Sequence, residues 1–470
     1  ADSCDVFAGV VCTLRMKGGG FGVVDLFVDY HLSIGFSHIW LYFDDIHDDS
    51  WKEVKDYSEE RLTIIRRSQS EREKVWTNDS PDLIKRLGGI GVTRDHVTAR
   101  QILNASEALK TALKAPENSS RHVEYLVHID IDELFYTKSN SIIPHFRWLK
   151  SQGIHHITYA NHEGIPHRTD IDNYFTQITL FRRNLLTLSL SPSTKKSVSF
   201  FTSRTPHHQY FLFYDNGKSA VRVQPGVFPK NVHGWSLPRP EMGQGMQSEG
   251  KSKRMVSALV DARNLNLKGY VDVRDPCILH YPVCGERWLR SKYEILGPFP
   301  THWPSLERKV NIPPCFHLDA RKAATSPKPT EKLKDLFLSQ VILSDNLEIS
   351  KQIASGTCMR ITDIASRRTR KVKGSKNSTP VSEKSRERED ISGKSVEESS
   401  EKFLVLKPES KESGESAEFS EKCLDLKDET QKSVKSGRGD GLNALAMDKT
   451  WLISQIAREF LVTGTTKVRS

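Results

Sequence analysis

The sequence predicts an α/β fold, a mostly parallel sheet with flanking helices, followed by a disordered low-complexity tail. Three observations carry that expectation. Apolar runs of strand length alternate with stretches of helical period through the first 140 or so residues. Several of those runs end in acidic residues, the position at which parallel α/β sheets bind ligands. Residues 374–440 are dominated by Ser, Lys, Glu and Gly and cannot bury enough apolar surface to fold alone.

The 470 residues suffice for one large core or two. Hydrophobic content of 37% and charged content of 27% agree with an unfolded portion. The net charge of +10 is compatible with nucleic acid, an anionic membrane or a basic tail. No aromatic–basic interleaving marks a binding sheet, so no nucleic-acid partner is expected. No apolar stretch approaches the roughly 18 residues that cross a bilayer, so a membrane anchor is absent from this chain and would lie upstream of Ala1. None of the seven cysteines forms a C-x-x-C pair. Cys277 and Cys284 are either bridged in an oxidising lumen or free and buried. Of the Asn-x-Ser/Thr triplets, Asn118 is the best glycosylation candidate, because Asn104 falls in a predicted helix and the triplets at Asn78 and Asn377 precede proline.

The elements follow in order. "VFAGVVCTL" is a buried strand by run length and β-branching. In "GVVDLFVDYHLSIG", Val23, Phe27, Tyr30 and Ile34 share one helical face, and Gly35 supplies the C-terminal cap. "HIWLYFDD" is a second strand ending in Asp44 and Asp45, and "RLTIIRR" a third. "TRDHVTARQILNASEALKTAL" is a long helix. "EYLVHIDIDELFYTK" is a fourth strand, "SIIPHFRWLK" a short helix, and "GIHHITYANHEG", "FTQITLFRR", "KSAVRVQPG" and "DPCILHYPV" are strands. "CGERWLRSKYEIL" is a helix. Four segments result: a globular domain over 1–323, a basic linker with helical turns over 324–373, a disordered segment over 374–440, and an amphipathic helix over 441–470. The third contains a duplicated motif, "SEKFLVLKPESKES" and "SEKCLDLKDETQKS". The last carries Leu445, Leu452, Ile456 and Phe460 on one face, for docking on the domain or pairing with a partner, with a membrane surface as the third alternative.

Asp130 and Asp132 hold the chemistry. Alternation along a strand points both to one face, roughly 7 Å apart, with Glu133 on the other. Burying unpaired carboxylates is costly, so a positive species is expected beside them. Hard carboxylates suit Mn²⁺ or Mg²⁺, which leave positions open for phosphate oxygens.

"DYHLSIGFSHIWLYFDD", "ARQILNASEALK" and "EYLVHIDIDELFY" resemble glycosyltransferases of the GT-A (Rossmann-like) fold, in particular glycosyltransferase family 92 and the related family-2-like group. "KSAVRVQPGVFPKNVHGW" and "ILHYPVCGERWLRSKY" extend the resemblance, in order, over roughly the first 300 residues. It implies a metal-dependent enzyme that transfers a sugar from a nucleotide-sugar, a UDP-sugar, to a glycan or glycoprotein hydroxyl with inversion. It also implies a lumenal place in the Golgi or secretory pathway. By position, Asp130 and Asp132 would hold the metal and diphosphate, with His233 and His280 as further metal ligands. Asp44 would meet the nucleoside. Lys218, Arg222 and Lys292 would stabilise the departing diphosphate. The acceptor hydroxyl needs a base, for which Glu163 is the candidate and Asp170 and Asp172 the alternatives. In these enzymes the first strand often ends in a Lys-Asn-acid turn; "LRMKGGGFG" keeps Arg15 and Lys17 but replaces the acid with glycine. Two other readings use the same residues: a nucleotidyltransferase, and a catalytically degenerate domain that only binds.

Overall fold

The computed structural model describes residues 6–16, 21–89, 93–94, 96–189, 191–213, 215–238, 259–261, 275–296, 302–303 and 310–367. The first run forms β1 (Ala8–Leu14), buried at every position, and leads through α1 (Val23–Ser33) to β2 (His38–Phe43) and β3 (Leu62–Arg66). α1 begins at a glycine, with no local side-chain cap. Its orphan amides are satisfied from a distance: the Glu53 carboxylate accepts from the N–H groups of Gly22 and Val24, each at 3.1 Å. Two helices unforeseen in the sequence follow, α2 (Gln69–Asp79), which opens on a Ser68/Glu71 capping box, and α3 (Pro81–Gly89). Then come α4 (Val97–Lys114), β4 (Tyr125–His128), β5 (Glu133–Tyr136), α5 (Ile143–Ser151), β6 (His156–Tyr159) and β7 (Asn161–Gly164). The chain continues through α6 (Tyr174–Gln177), β8 (Leu180–Arg182), α7 (Pro192–Ser203), β9 (Lys218–Arg222), β10 (Phe228–Asn231) and β11 (Gly234–Ser236). β12 (Leu259–Asp261), β13 (Cys277–His280), α8 (Glu286–Ile295) and the short pair β14 (His302–Trp303) and β15 (Val310–Asn311) come next. The described part closes with α9 (Phe316–Ala324), α10 (Pro329–Leu336), α11 (Asn346–Ala354) and β16 (Cys358–Arg360).

Two sheets result. The larger has the order β12-β6-β9-β4-β1-β2-β3 and the smaller β16-β8-β7-β13-β5. The expected mostly parallel sheet is in fact mixed. β9 runs antiparallel to both β4 and β6, and in the smaller sheet only the β7–β13 pair is parallel. Both faces of β1 are buried: Val10 and Cys12 pack towards α1 and β5, while Val11 packs with Trp40, Ala105 and Leu109.

Two stretches expected as single strands are each two strands. Residues 124–138 run along β4, turn at 129–132 and enter the other sheet as β5. Residues 153–164 do the same from β6 to β7. Apolar alternation continues through both breaks because both sheets border one core. "FTQITLFRR" is likewise divided, into α6 and β8.

The compact unit also extends past the expected boundary at 323. β16 pairs with β8, and Leu333, Phe337 and Ile349 are buried. The apolar residues of this segment are separated by charged ones, so its composition resembles a linker while its spacing builds a packed face. The duplicated motif and the C-terminal helix expectation lie outside the described residues. Cys277 and Cys284 are buried thiols and do not bridge each other. Asn118 is exposed, whereas Asn104 is buried and donates to the Thr13 hydroxyl at 3.0 Å. Among the described residues no helix is long and apolar enough to cross a membrane.

Gly217 positions the strand that matters most for the site. Its φ is +68°, and a Cβ there would stand 1.8 Å from the Tyr159 carbonyl oxygen. Gly217→Ala is expected to cost more than about 2 kcal/mol in urea unfolding, because the turn into Lys218 would have to move. A loss below about 0.5 kcal/mol would show that the turn relaxes freely.

Candidate functional site

A cleft of about 240 Å³ opens beyond the carboxyl ends of β1, β2 and β4. Leu14, Asp44, Asp130 and Asp132 line it, together with Lys292 of α8 and His317 of α9.

The turn between β4 and β5 forms the acidic floor. Glu133 N–H donates to the Asp130 carbonyl at 3.0 Å, and Asp130 N–H donates to Glu133 Oε2 at 2.9 Å. The aspartates therefore sit in a turn, not two apart on one strand face as expected. Each carboxylate holds a lysine. Lys218 Nζ, fully buried, donates to Asp130 Oδ2 at 2.6 Å and to the Val232 carbonyl at 3.2 Å, and lies 3.5 Å from Glu133 Oε2. Gln101 of α4 donates to the other Asp130 oxygen at 2.7 Å. Lys292 Nζ donates to Asp132 Oδ2 at 2.9 Å and to the Pro282 carbonyl at 3.2 Å.

These pairings govern the charges. Burial is the largest influence on Asp130 and works to raise its pKa, but the charge and hydrogen bond of Lys218, with smaller contributions from His128 and His233, together outweigh it and hold the group at about 2. Burial pushes Glu133 up to about 8, against the pull of Lys218. Lys218 itself loses solvation, yet Asp130 and Glu133 keep its pKa above the usual lysine value.

The other predicted residues are placed as follows. Asp44 accepts two bonds from Arg100, at 2.6 and 2.5 Å, and one from Arg72 at 2.9 Å. Both its oxygens are engaged by arginines, which leaves little of its acceptor capacity for a nucleoside. Arg15 lines the cleft and pairs with Asp45 at 3.0 Å; Lys17 lies outside the described residues. Arg222 is paired in register with Tyr125, at the opposite end of β9 from Lys218 and roughly 13 Å along the strand. That removes it from the cleft. Asp170 and Asp172 are exposed, beside Arg168 and Arg287 respectively.

Glu163 is in β7, buried, with Oε2 2.8 Å from Arg182 Nη2. The Arg182 guanidinium is stacked among Phe201, Tyr210 and Phe211. Burial raises the Glu163 pKa to about 7, against the effect of Arg182. A carboxylate sealed in this way does not reach an acceptor in the cleft.

His233 Nδ1 is 2.9 Å from the Gly217 carbonyl, and His280 Nδ1 is 3.9 Å from Glu163 Oε1. Burial lowers His233 to about 4 and His280 to about 3, so both are neutral at physiological pH. Among the described residues no group of three or more His, Cys, Asp or Glu side chains gathers round a point where a metal could sit. The expected four-ligand set Asp130, Asp132, His233 and His280 is thus not assembled. The positive species at the carboxylates are lysine ammoniums.

Sequence reasoning missed Gln101, Arg72, Arg100, Arg182 and His317. Gln101 and Arg100 lie in the quoted motif "ARQILNASEALK", but nothing local marks them as partners of Asp130 and Asp44. His317 lies beyond the stretch that the family resemblance covers.

No family model matches the chain. Two plant proteins do resemble it. One Arabidopsis thaliana protein named glycosyltransferase-like is 25% identical over 271 residues, which is 56% of this chain and 50% of that protein. A second of the same name and organism is 24% identical over 267 residues, 56% of this chain and 44% of its own length. The chain spans about half the length of these relatives. They support a glycosyltransferase-type function.

Proposed function

We propose that the chain is a glycosyltransferase of GT-A type that takes a sugar from a nucleotide donor, a UDP-sugar, and passes it to a hydroxyl of a glycan or glycoprotein. The observation that carries this reading is the lysine-paired Asp130/Asp132 turn, set in a cleft beyond the carboxyl ends of β1, β2 and β4. An α/β sheet binds ligands at that end, and the relatives' names point the same way. The cations Lys292 and Arg15 line the cleft, where they would meet the charge that develops on the leaving diphosphate. Inversion needs a base beside the acceptor hydroxyl. With Glu163 sealed under Arg182, His317 on the cleft wall is the residue to test; burial lowers its pKa well below the usual histidine value and keeps it neutral. A lumenal setting in the Golgi or secretory pathway rests on the family resemblance.

The test is incubation of the full chain with a panel of UDP-sugars, reading UDP release with and without glycan acceptors. Release from one donor, lost in Asp132→Asn and reduced at least roughly tenfold in His317→Gln, is the expected result. UDP binding without turnover of any donor would favour the degenerate, binding-only reading. That alternative draws its support from the engaged oxygens of Asp44 and the buried Glu163.

A further inference from the structure

Lys292 stands between an acidic side chain and the open cleft, and we infer that its ammonium, in place of a divalent cation, bridges Asp132 to the diphosphate of the nucleotide donor. The inference rests on the nucleotide-donor reading above and adds how the diphosphate is held.

An ammonium has three N–H donors. Lys292 spends one on Asp132 Oδ2 at 2.9 Å and one on the Pro282 carbonyl at 3.2 Å. That leaves one for the cleft, which Lys292 lines. The Phe213 ring, 4.6 Å from Nζ, adds a cation–π contact on the protein side. A cation in this place touches a carboxylate behind and a phosphate oxygen in front, the two contacts a bridging metal ion would make. Lys218 is not equivalent. It is fully buried and surrounded by Asp130, Glu133 and the Val232 carbonyl, and it is not part of the cleft wall.

Local charge agrees. The four aspartates that face the cleft or flank it at this end of the sheet are paired with cations: Lys218 for Asp130, Lys292 for Asp132, Arg15 for Asp45, and two arginines for Asp44. A carboxylate pair shaped to await a divalent cation would carry uncompensated negative charge. The two expected histidine ligands are engaged elsewhere, His233 at the Gly217 carbonyl and His280 beside Glu163.

The deciding experiment is calorimetric titration of UDP into the full chain, once in EDTA and once in Mn²⁺, for wild type, Lys292→Met and Lys292→Arg. Wild type is expected to bind with affinities within about twofold of each other in the two buffers. Lys292→Met should lose roughly tenfold or more in EDTA, the worth of one charge-assisted hydrogen bond, and Lys292→Arg should keep most of the affinity. Wild-type binding that appears only with Mn²⁺ would overturn the inference and leave the donor reading intact. So would Lys292→Met binding Mn²⁺ and UDP at least as tightly as wild type, because freeing Asp132 would then help the metal. Absence of UDP binding in either buffer would overturn the inference and the UDP-donor reading together. If Lys292→Met fails to fold by circular dichroism, the two wild-type titrations and Lys292→Arg still decide.

Discussion

Replacing Lys218 with methionine is expected to destabilise the fold by about 3–5 kcal/mol, the usual cost of leaving one member of a buried ion pair without its partner. Lys218 is wholly buried and carries the charge that holds Asp130 ionised at the cleft floor. Methionine matches the stem but returns nothing to Asp130, Glu133 or the Val232 carbonyl. UDP binding should fall with stability, because the 129–132 turn that presents Asp132 closes on Asp130 and Glu133. Two further readouts separate this cause from a simple packing defect. Asp130→Asn in the same chain should recover much of the loss, since the stranded charge is then gone. The deficit should also shrink as pH falls, because without Lys218 burial drives Asp130 towards its protonated form. Urea unfolding of the single and double variants at two pH values measures all of this. A single-variant loss below about 1 kcal/mol would mean that Asp130 is compensated by something other than Lys218.

Stability is expected to peak near pH 6.5–7 and to collapse in mild acid. His31, His38, His128, His145, His156 and His280 are buried, and burial lowers each to about 3 or 4 from an ordinary 6.5. Below pH 6.5 the unfolded chain takes up those six protons and the folded one does not, so stability falls as pH falls. Glu133 and Glu163 act in the opposite sense. Raised by burial to about 8 and about 7, they hold protons in the fold that the unfolded chain releases above its ordinary value of 4.5. Their contribution therefore declines as pH rises through neutrality. Near pH 5, these six imidazoles against two carboxyls leave a net difference of about four protons, or about 5 kcal/mol per pH unit, and His233 and His317, lowered in the same direction, steepen it further. That gradient is steep enough to unfold a domain of ordinary stability within two pH units. Denaturant melts from pH 5 to 8 test this directly. A midpoint unchanged between pH 7 and pH 5 would show that the buried imidazoles are charged, or relax outward, in the native state.

The legible parts of the site were those with local signatures. The acidic ends of the runs at Asp44 and at Asp130–Glu133 stand out against apolar neighbours, and the family resemblance implies Lys218, Lys292 and Arg15 as cations of the site. Their partners were not legible. Lys218 is 88 positions from Asp130 and Lys292 is 160 from Asp132, and no periodicity links residues at such separations. Glu163 shows the converse. A carboxylate in "YANHEGIPHR" looks poised after a strand, yet the crossing from β6 to β7 carries it into a second sheet and under Arg182. Arg222 shares a strand with Lys218, but four residues of extended chain separate the two ends of the sheet.

By itself the sequence determined the order and type of the early elements, β1, α1, β2, β3 and α4, because apolar run length and helical period are properties of neighbouring residues. It also determined which short segments carry carboxylates and cations. Tertiary structure alone decided that two apparent strands each divide between two sheets, that the segment beyond 323 closes the smaller sheet, and that lysines are the cations at the aspartates. Those outcomes depend on burial and charge compensation between distant parts of the chain. A buried carboxylate needs a positive partner, and only folding settles whether a side chain or an ion supplies it.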